Sequence, residues 1–209
     1  MHDELKAELK NIETSYNGKN FQAIVNKAKK EKITDDELLG LIEKTSRKRF
    51  GEKVSFTLNV TLGNLLEAIL TIAAIILAFQ AISNWMLYLS ALILMATLHS
   101  LSHYFAGAIS GIRFTHYYLN GPARIEPTLR IDYSSYLKAH ANGRALMHLS
   151  GVIGTLAAPV IVALIAIYNG ENATSVNLFY LFILLIIFEL LTSTKIGDLM
   201  KAKREYGFR

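Results

Sequence analysis

Four apolar runs, each close to the roughly 20 residues that cross a bilayer as a helix, constrain this chain more than any other feature. They cover about residues 60–83, 85–109, 145–168 and 176–193. Backbone polar groups in hydrocarbon must be satisfied within their own segment, so such runs fold as helices. The expected fold class is an all-α membrane protein with four transmembrane helices, multi-pass in the cell membrane. A hydrophobic share of 52% over 209 residues agrees. Residues 1–57 are expected as a small helical segment and residues 58–209 as the membrane domain.

The first 55 residues are polar, with 12 Lys/Arg against 10 Asp/Glu, and show no signal-peptide pattern. Leu5, Leu9 and Ile12 recur at helical spacing, as do Phe21, Ile24, Val25 and Ala28. Thr34 and Glu37 have capping-box spacing ahead of Leu38, Leu39, Leu41 and Ile42. These signals predict short helices forming a solvated appendage.

Between the second and third runs, residues 111–144 are polar. They hold alternating segments such as Ile112-Arg113-Phe114-Thr115 and Ile131-Asp132-Tyr133, with a turn signal at Gly121-Pro122. A short β-hairpin or re-entrant segment is expected there. Pro159 is expected to interrupt the third span. The Lys/Arg residues fall in the N-terminal segment, in residues 111–144 (five) and in the C-terminal tail (five), and in neither of the other two connections. That asymmetry places both termini and the hairpin on the cytoplasmic side. Asn172-Ala173-Thr174 fits a glycosylation sequon on the other side. The net charge of +5 reports orientation and contact with anionic lipid headgroups, not nucleic acid.

His99 and His103 stand four residues apart inside the second run. On a helix they share a face, with Cβ atoms about 5–6 Å apart, so both imidazoles can reach one metal ion. Ionisable residues in membrane helices are costly and usually functional. There is no cysteine, so a transition metal must be held by His, Asp or Glu. With the orientation above, His103 lies roughly 10 Å inside the cytoplasmic boundary. Glu67 on the first run and Glu189 on the fourth reach similar depth. His148 falls near the cytoplasmic end of the third run and Asp198 just beyond the fourth. Two histidines from one helix and a carboxylate from another make a known zinc set with an open fourth position.

The run His99-Ser100-Leu101-Ser102-His103-Tyr104-Phe105-Ala106-Gly107 resembles the His-Glu-x-x-His helix of the site-2 protease family of intramembrane zinc metalloproteases. The stretch from Gly111-Ile112-Arg113-Phe114 to Gly121-Pro122 looks like that family's membrane-associated β-hairpin. Ser150-Gly151-Val152-Ile153-Gly154 stands where the family has its third-span motif. Gly197-Asp198-Leu199 stands where the family has its ligand aspartate. The resemblance covers about residues 85–200 and implies zinc held by His99, His103 and Asp198. It implies hydrolysis of a membrane-embedded protein substrate near the cytoplasmic side. Three departures stand against this. Ser100 replaces the glutamate that activates water, Leu199 replaces a glycine, and residues 190–193 lack an Asn-Pro pair. A base must then come from another helix, and depth puts Glu67 first as the catalytic candidate and Glu189 second.

The alternative is a catalytically inactive relative, a membrane binding or regulatory protein whose partner is a transmembrane segment. Di-iron oxygenases also use His-x-x-x-His but need more such pairs than this chain has, and no internal repeat suggests a transporter. His148 is expected as a supporting partner of the site. His116 and His140 are expected as ordinary loop histidines. Gly107, Gly111, Gly151 and Gly154 are expected to allow close helix packing.

Overall fold

The computed structural model describes residues 2–14, 16–120, 126–192 and 197–209. The protein is mostly helical. Helices α1 (His2–Thr14), α2 (Gly18–Lys30) and α3 (Asp36–Lys53) precede a two-residue strand β1 (Leu58–Asn59). Helices α4 (Val60–Phe79) and α5 (Asn84–Ile109) follow, then strands β2 (Phe114–Asn120) and β3 (Glu126–Ile131). A short α6 (Tyr133–Lys138) leads into α7 (Ala141–Tyr168), α8 (Asn172–Thr192) and α9 (Asp198–Tyr206).

Four helices, α4, α5, α7 and α8, are long and apolar enough to cross a membrane. Their bounds shift from the expected ones at the polar ends. α4 stops at Phe79, where Gln80 caps it. α7 begins at Ala141 and α8 at Asn172, each taking in polar residues that hydropathy leaves outside. α7 runs unbroken through Pro159, which is buried, so the expected interruption does not occur. Asn169 Nδ2 donates to Ala78 O at 2.9 Å and ties the α7–α8 turn to the end of α4.

α5 and α7 form the most extensive helix pair. Gly154 makes this possible, because a Cβ there would lie 2.4 Å from the Leu98 carbonyl oxygen. Close backbone approach through small residues is the usual way membrane helices associate. At one end of the bundle Ala74, Ala78, Ala91, Leu94, Ala158 and Val162 belong to one apolar core. At the other end the N-terminal helices build a second core. It joins Leu5, Leu9, Val25, Leu38 and Ile42 to Phe114, Tyr136 and Met147. The apolar stripes of α1–α3 thus pack on the hairpin, α6 and the start of α7 instead of forming a solvated appendage. Two polar links reinforce the contact: Arg130 Nη2 pairs with Glu43 Oε1 at 2.8 Å, and Tyr133 N donates to Glu43 Oε2 at 2.9 Å.

The cap of α3 is Asp35, not Thr34. Its carboxylate accepts from the backbone N–H of Glu37 and Leu38. A carboxylate at the cap satisfies two orphan donors by itself and also favours the positive helix end. The expected hairpin is present, antiparallel from Phe114↔Ile131 to Asn120↔Glu126, with an irregularity between Phe114 and His116. Its Gly121-Pro122 turn lies outside the described residues. β1 adds a third strand, pairing Leu58 with Tyr117, so the sheet order is β1-β2-β3 and β3 is an edge. Gly111 does not serve helix packing. It has φ +79 and terminates α5, with Ile112 N bonded back to Gly107 O at 2.9 Å. Gly107 seats the Phe114 ring of β2.

Candidate metal centre

The polar layer lies between the two cores. α5 presents His99 and His103 on one face, toward α7. Asp198 is the first residue of α9, where the positive helix end favours a carboxylate. His103 Nε2 lies 3.2 Å from His99 Nε2 and 3.2 Å from Asp198 Oδ2, and His99 Nε2 lies 3.6 Å from Asp198 Oδ2. Ligand atoms about 2.0–2.1 Å from a tetrahedral zinc stand roughly 3.3–3.4 Å apart. The three edges of this triangle bracket that spacing. All three residues are half-buried, and they form a group that can hold a metal ion.

The backbone of α7 sets the tautomers. His103 Nδ1 lies 2.5 Å from Met147 O, and His99 Nδ1 lies 3.1 Å from Gly151 O and 3.0 Å from Thr155 Oγ1. A carbonyl only accepts, so each Nδ1 must carry its proton. The Thr155 hydroxyl donates to Gly151 O, leaving its oxygen free to accept from His99. Both Nε2 lone pairs therefore face the carboxylate oxygen. Three acceptors at this spacing repel unless a cation or an added proton lies between them. Outer partners that fix the ring of a metal-binding histidine are the usual companions of such a site.

Gly151 has a second role besides helix approach. A Cβ there would come within 2.2 Å of His103 Nε2. Asp198 is held from its other oxygen: Oδ1 accepts from Lys201 Nζ at 2.8 Å and lies 3.8 Å from His148 Nδ1. Burial works against ionisation of Asp198, but the Lys201 ammonium, together with the added proton that lies between His103 and the carboxylate when no cation does, outweighs it and keeps the carboxyl below its usual range. His148 itself is buried, with Nε2 3.1 Å from the Tyr136 hydroxyl. It lies outside the triangle, on the side of Asp198 away from His99 and His103.

The site opens on a cavity of about 640 Å³. Its walls include β3, α6, the end of α8 and α2, which reaches in with Gln22, Val25 and Lys29. Glu189 lines this cavity and Glu67 does not. Glu67 is buried on α4. Ser100 lines the cavity, is buried, and its Oγ donates to Pro127 O of β3 at 3.2 Å. His116 pairs across β2 and β3, with Nδ1 buried and unpartnered, so it is no ordinary loop histidine. His140 is exposed at the start of α7.

Sequence reading missed Thr155, Tyr136 and the Met147 carbonyl. Thr155 shares its helix face with Gly151, four residues earlier, but nothing in the sequence marks it. Searches against protein-family models, curated proteins and solved structures give no match to this chain.

Proposed function

We propose that the protein is an intramembrane zinc metallopeptidase, similar to the site-2 protease family, that cleaves a membrane-embedded polypeptide near the cytoplasmic face. One observation carries the reading. Three acceptor atoms from α5 and α9 converge at zinc spacing, while the α7 backbone holds the opposite nitrogen of each histidine protonated.

Membrane insertion is supported by the surface of the bundle. Large apolar side chains such as Leu66, Ile72, Leu92, Leu164, Leu184 and Phe188 are exposed on the four long helices. An apolar surface of that extent needs lipid or protein to cover it. Both termini and the hairpin lie on the cytoplasmic side by the Lys/Arg distribution.

Zinc, when bound there, polarises a carbonyl and lowers the pKa of water toward about 7. His99 and His103 bind it as neutral ligands and Asp198 supplies the negative charge. Lys201 and His148 orient that carboxylate. Among the described residues β3 is an edge strand and lines the cavity, which supports its backbone as the element that aligns an extended peptide. Ser100 cannot act as the base, since a neutral hydroxyl is far too weak a proton acceptor to stand in for a carboxylate. Glu189 takes that role, because it is the membrane-helix carboxylate that lines the cavity.

This assignment is tested with a fluorogenic transmembrane peptide and purified, zinc-loaded protein. Glu189→Gln lowers kcat by about 10²–10⁴-fold, the usual share of a general base. Glu67→Gln leaves kcat within about twofold, since that side chain lies outside the cavity. Equal losses in the two variants contradict the assignment. The second reading, an inactive relative that binds transmembrane segments, is favoured by Ser100 alone. It is adopted if zinc-loaded wild type binds the peptide and does not cleave it.

A further inference from the structure

A second cavity, of about 700 Å³, lies where the α2–α3 turn meets the start of α7. Its lining includes Lys29, Lys32, Lys138, His140, Arg144 and Arg209, and no carboxylate side chain among the described residues. Two of the lysines and arginines are buried, Lys29 and Arg144 at 4% exposure each. Both pair with one carboxylate, Glu205, which is fully buried. Arg144 Nε donates to Glu205 Oε2 at 2.7 Å and its Nη1 to Ala139 O, and Lys29 bonds to Glu205 Oε1. Both cations also face the Tyr136 ring, at 4.9 Å and 5.7 Å from its centroid. The cluster still holds two positive groups against one negative group. Buried charge in excess of its partners is costly. Burial, offset by Glu205, lowers the pKa of Lys29, and Arg144 adds to the lowering.

At the mouth, Lys32 has φ 50, the one non-glycine residue with positive φ among those described. It follows the α2 cap in the position that glycine or asparagine normally takes. A lysine there costs backbone energy that glycine would not. Of the remaining cations, Lys138 pairs with exposed Asp36, and Arg209 bonds to Asn142 Oδ1 and Tyr206. Lys32 extends the positive wall.

The geometry points to a phosphate-binding site in this cavity, in which a phosphate group, free or on a lipid headgroup, bridges the buried Lys29–Arg144 pair to Lys32 and Lys138. The anion neutralises the buried excess, and three or more charge-assisted hydrogen bonds hold it. The site shares Lys29 with the wall of the metal-centre cavity, but none of His99, His103 and Asp198 lines it.

The test uses the full chain in uncharged detergent, titrated calorimetrically with inorganic phosphate. A parallel arm measures the thermal midpoint in phosphatidylcholine bilayer discs with and without phosphatidic acid. Saturable binding to free phosphate assigns a soluble source, and stabilisation only by phosphatidic acid assigns a lipid source. Lys32→Gly weakens the response about tenfold in whichever arm is positive, while its thermal midpoint without ligand stays level or rises. The paired control Lys10→Ala/Lys19→Ala, on exposed positions away from the cavity, changes neither quantity. Absence of a saturable response in both arms overturns the site, and so does a Lys32→Gly variant that responds like wild type.

Discussion

Replacing Gly151 with alanine lowers metal affinity by about 10–100-fold, although no ligand is removed. The reason is steric. The new Cβ would stand 2.2 Å from His103 Nε2 and 2.5 Å from Cε1, well inside contact distance. The ring must turn, and turning breaks the Nδ1 bond to Met147 O that aims Nε2 at the centre. The helix itself gains a better helix former, worth about 1 kcal/mol from propensity alone, so a loss of metal affinity in this variant is not a loss of helix stability. Gly40→Ala is the matched control, because nothing lies within 4 Å of a Cβ at that site in α3. Chelator competition with zinc measures both variants. Wild-type affinity in Gly151→Ala would show that the His103 ring is not where the α7 backbone holds it.

The second large effect is on stability. Glu205→Gln destabilises the protein by about 3–5 kcal/mol, the cost of breaking a buried ion pair from one side. The amide keeps the shape but leaves Lys29 and Arg144 buried without a counter-charge. These two residues come from α2 and α7, so Glu205 fastens α9 to both the N-terminal helices and the bundle. Asp198 lies seven residues before Glu205 on the same helix, two turns away on one face. Loosening the far end of α9 therefore also weakens metal binding. Replacing all three charged residues with methionine recovers most of the lost stability, because a well-packed apolar cluster removes the desolvation cost. Thermal unfolding of the metal-free protein in detergent reads both effects. A Glu205→Gln midpoint equal to wild type would show that the triad does not hold α9.

The four long helices and the histidine pair were legible because each rests on a local pattern. Apolar length marks a span, and i,i+4 spacing puts His99 and His103 on one face. Asp198 was legible through its place in the order of elements, since one lone aspartate after the fourth run carries no local signal. Depth along the helices grouped Glu189, His148 and Asp198, and all three line one cavity. It put Glu67 in the same layer, yet depth fixes height and leaves rotation about the helix axis open. The Glu67 side chain lies outside the cavity that Glu189 lines.

The N-terminal segment was harder for a related reason. The stripes Leu5-Leu9-Ile12 and Phe21-Ile24-Val25-Ala28 show that each helix buries a face, and they do not say against what. Lys29, Arg144 and Glu205 sit among many surface-type charges, and only long-range packing makes them a buried cluster. Pro159 reads as a breaker, but within a packed bundle a missing backbone donor is tolerated and α7 continues.

The most direct test of the account is the metal content of the purified protein, by elemental analysis, in wild type and in His103→Ala, with no chelator used at any step. The account predicts near-stoichiometric zinc in wild type and almost none in the variant. Wild type without metal, or a variant that keeps it, contradicts the assignment of His99, His103 and Asp198 as a metal centre.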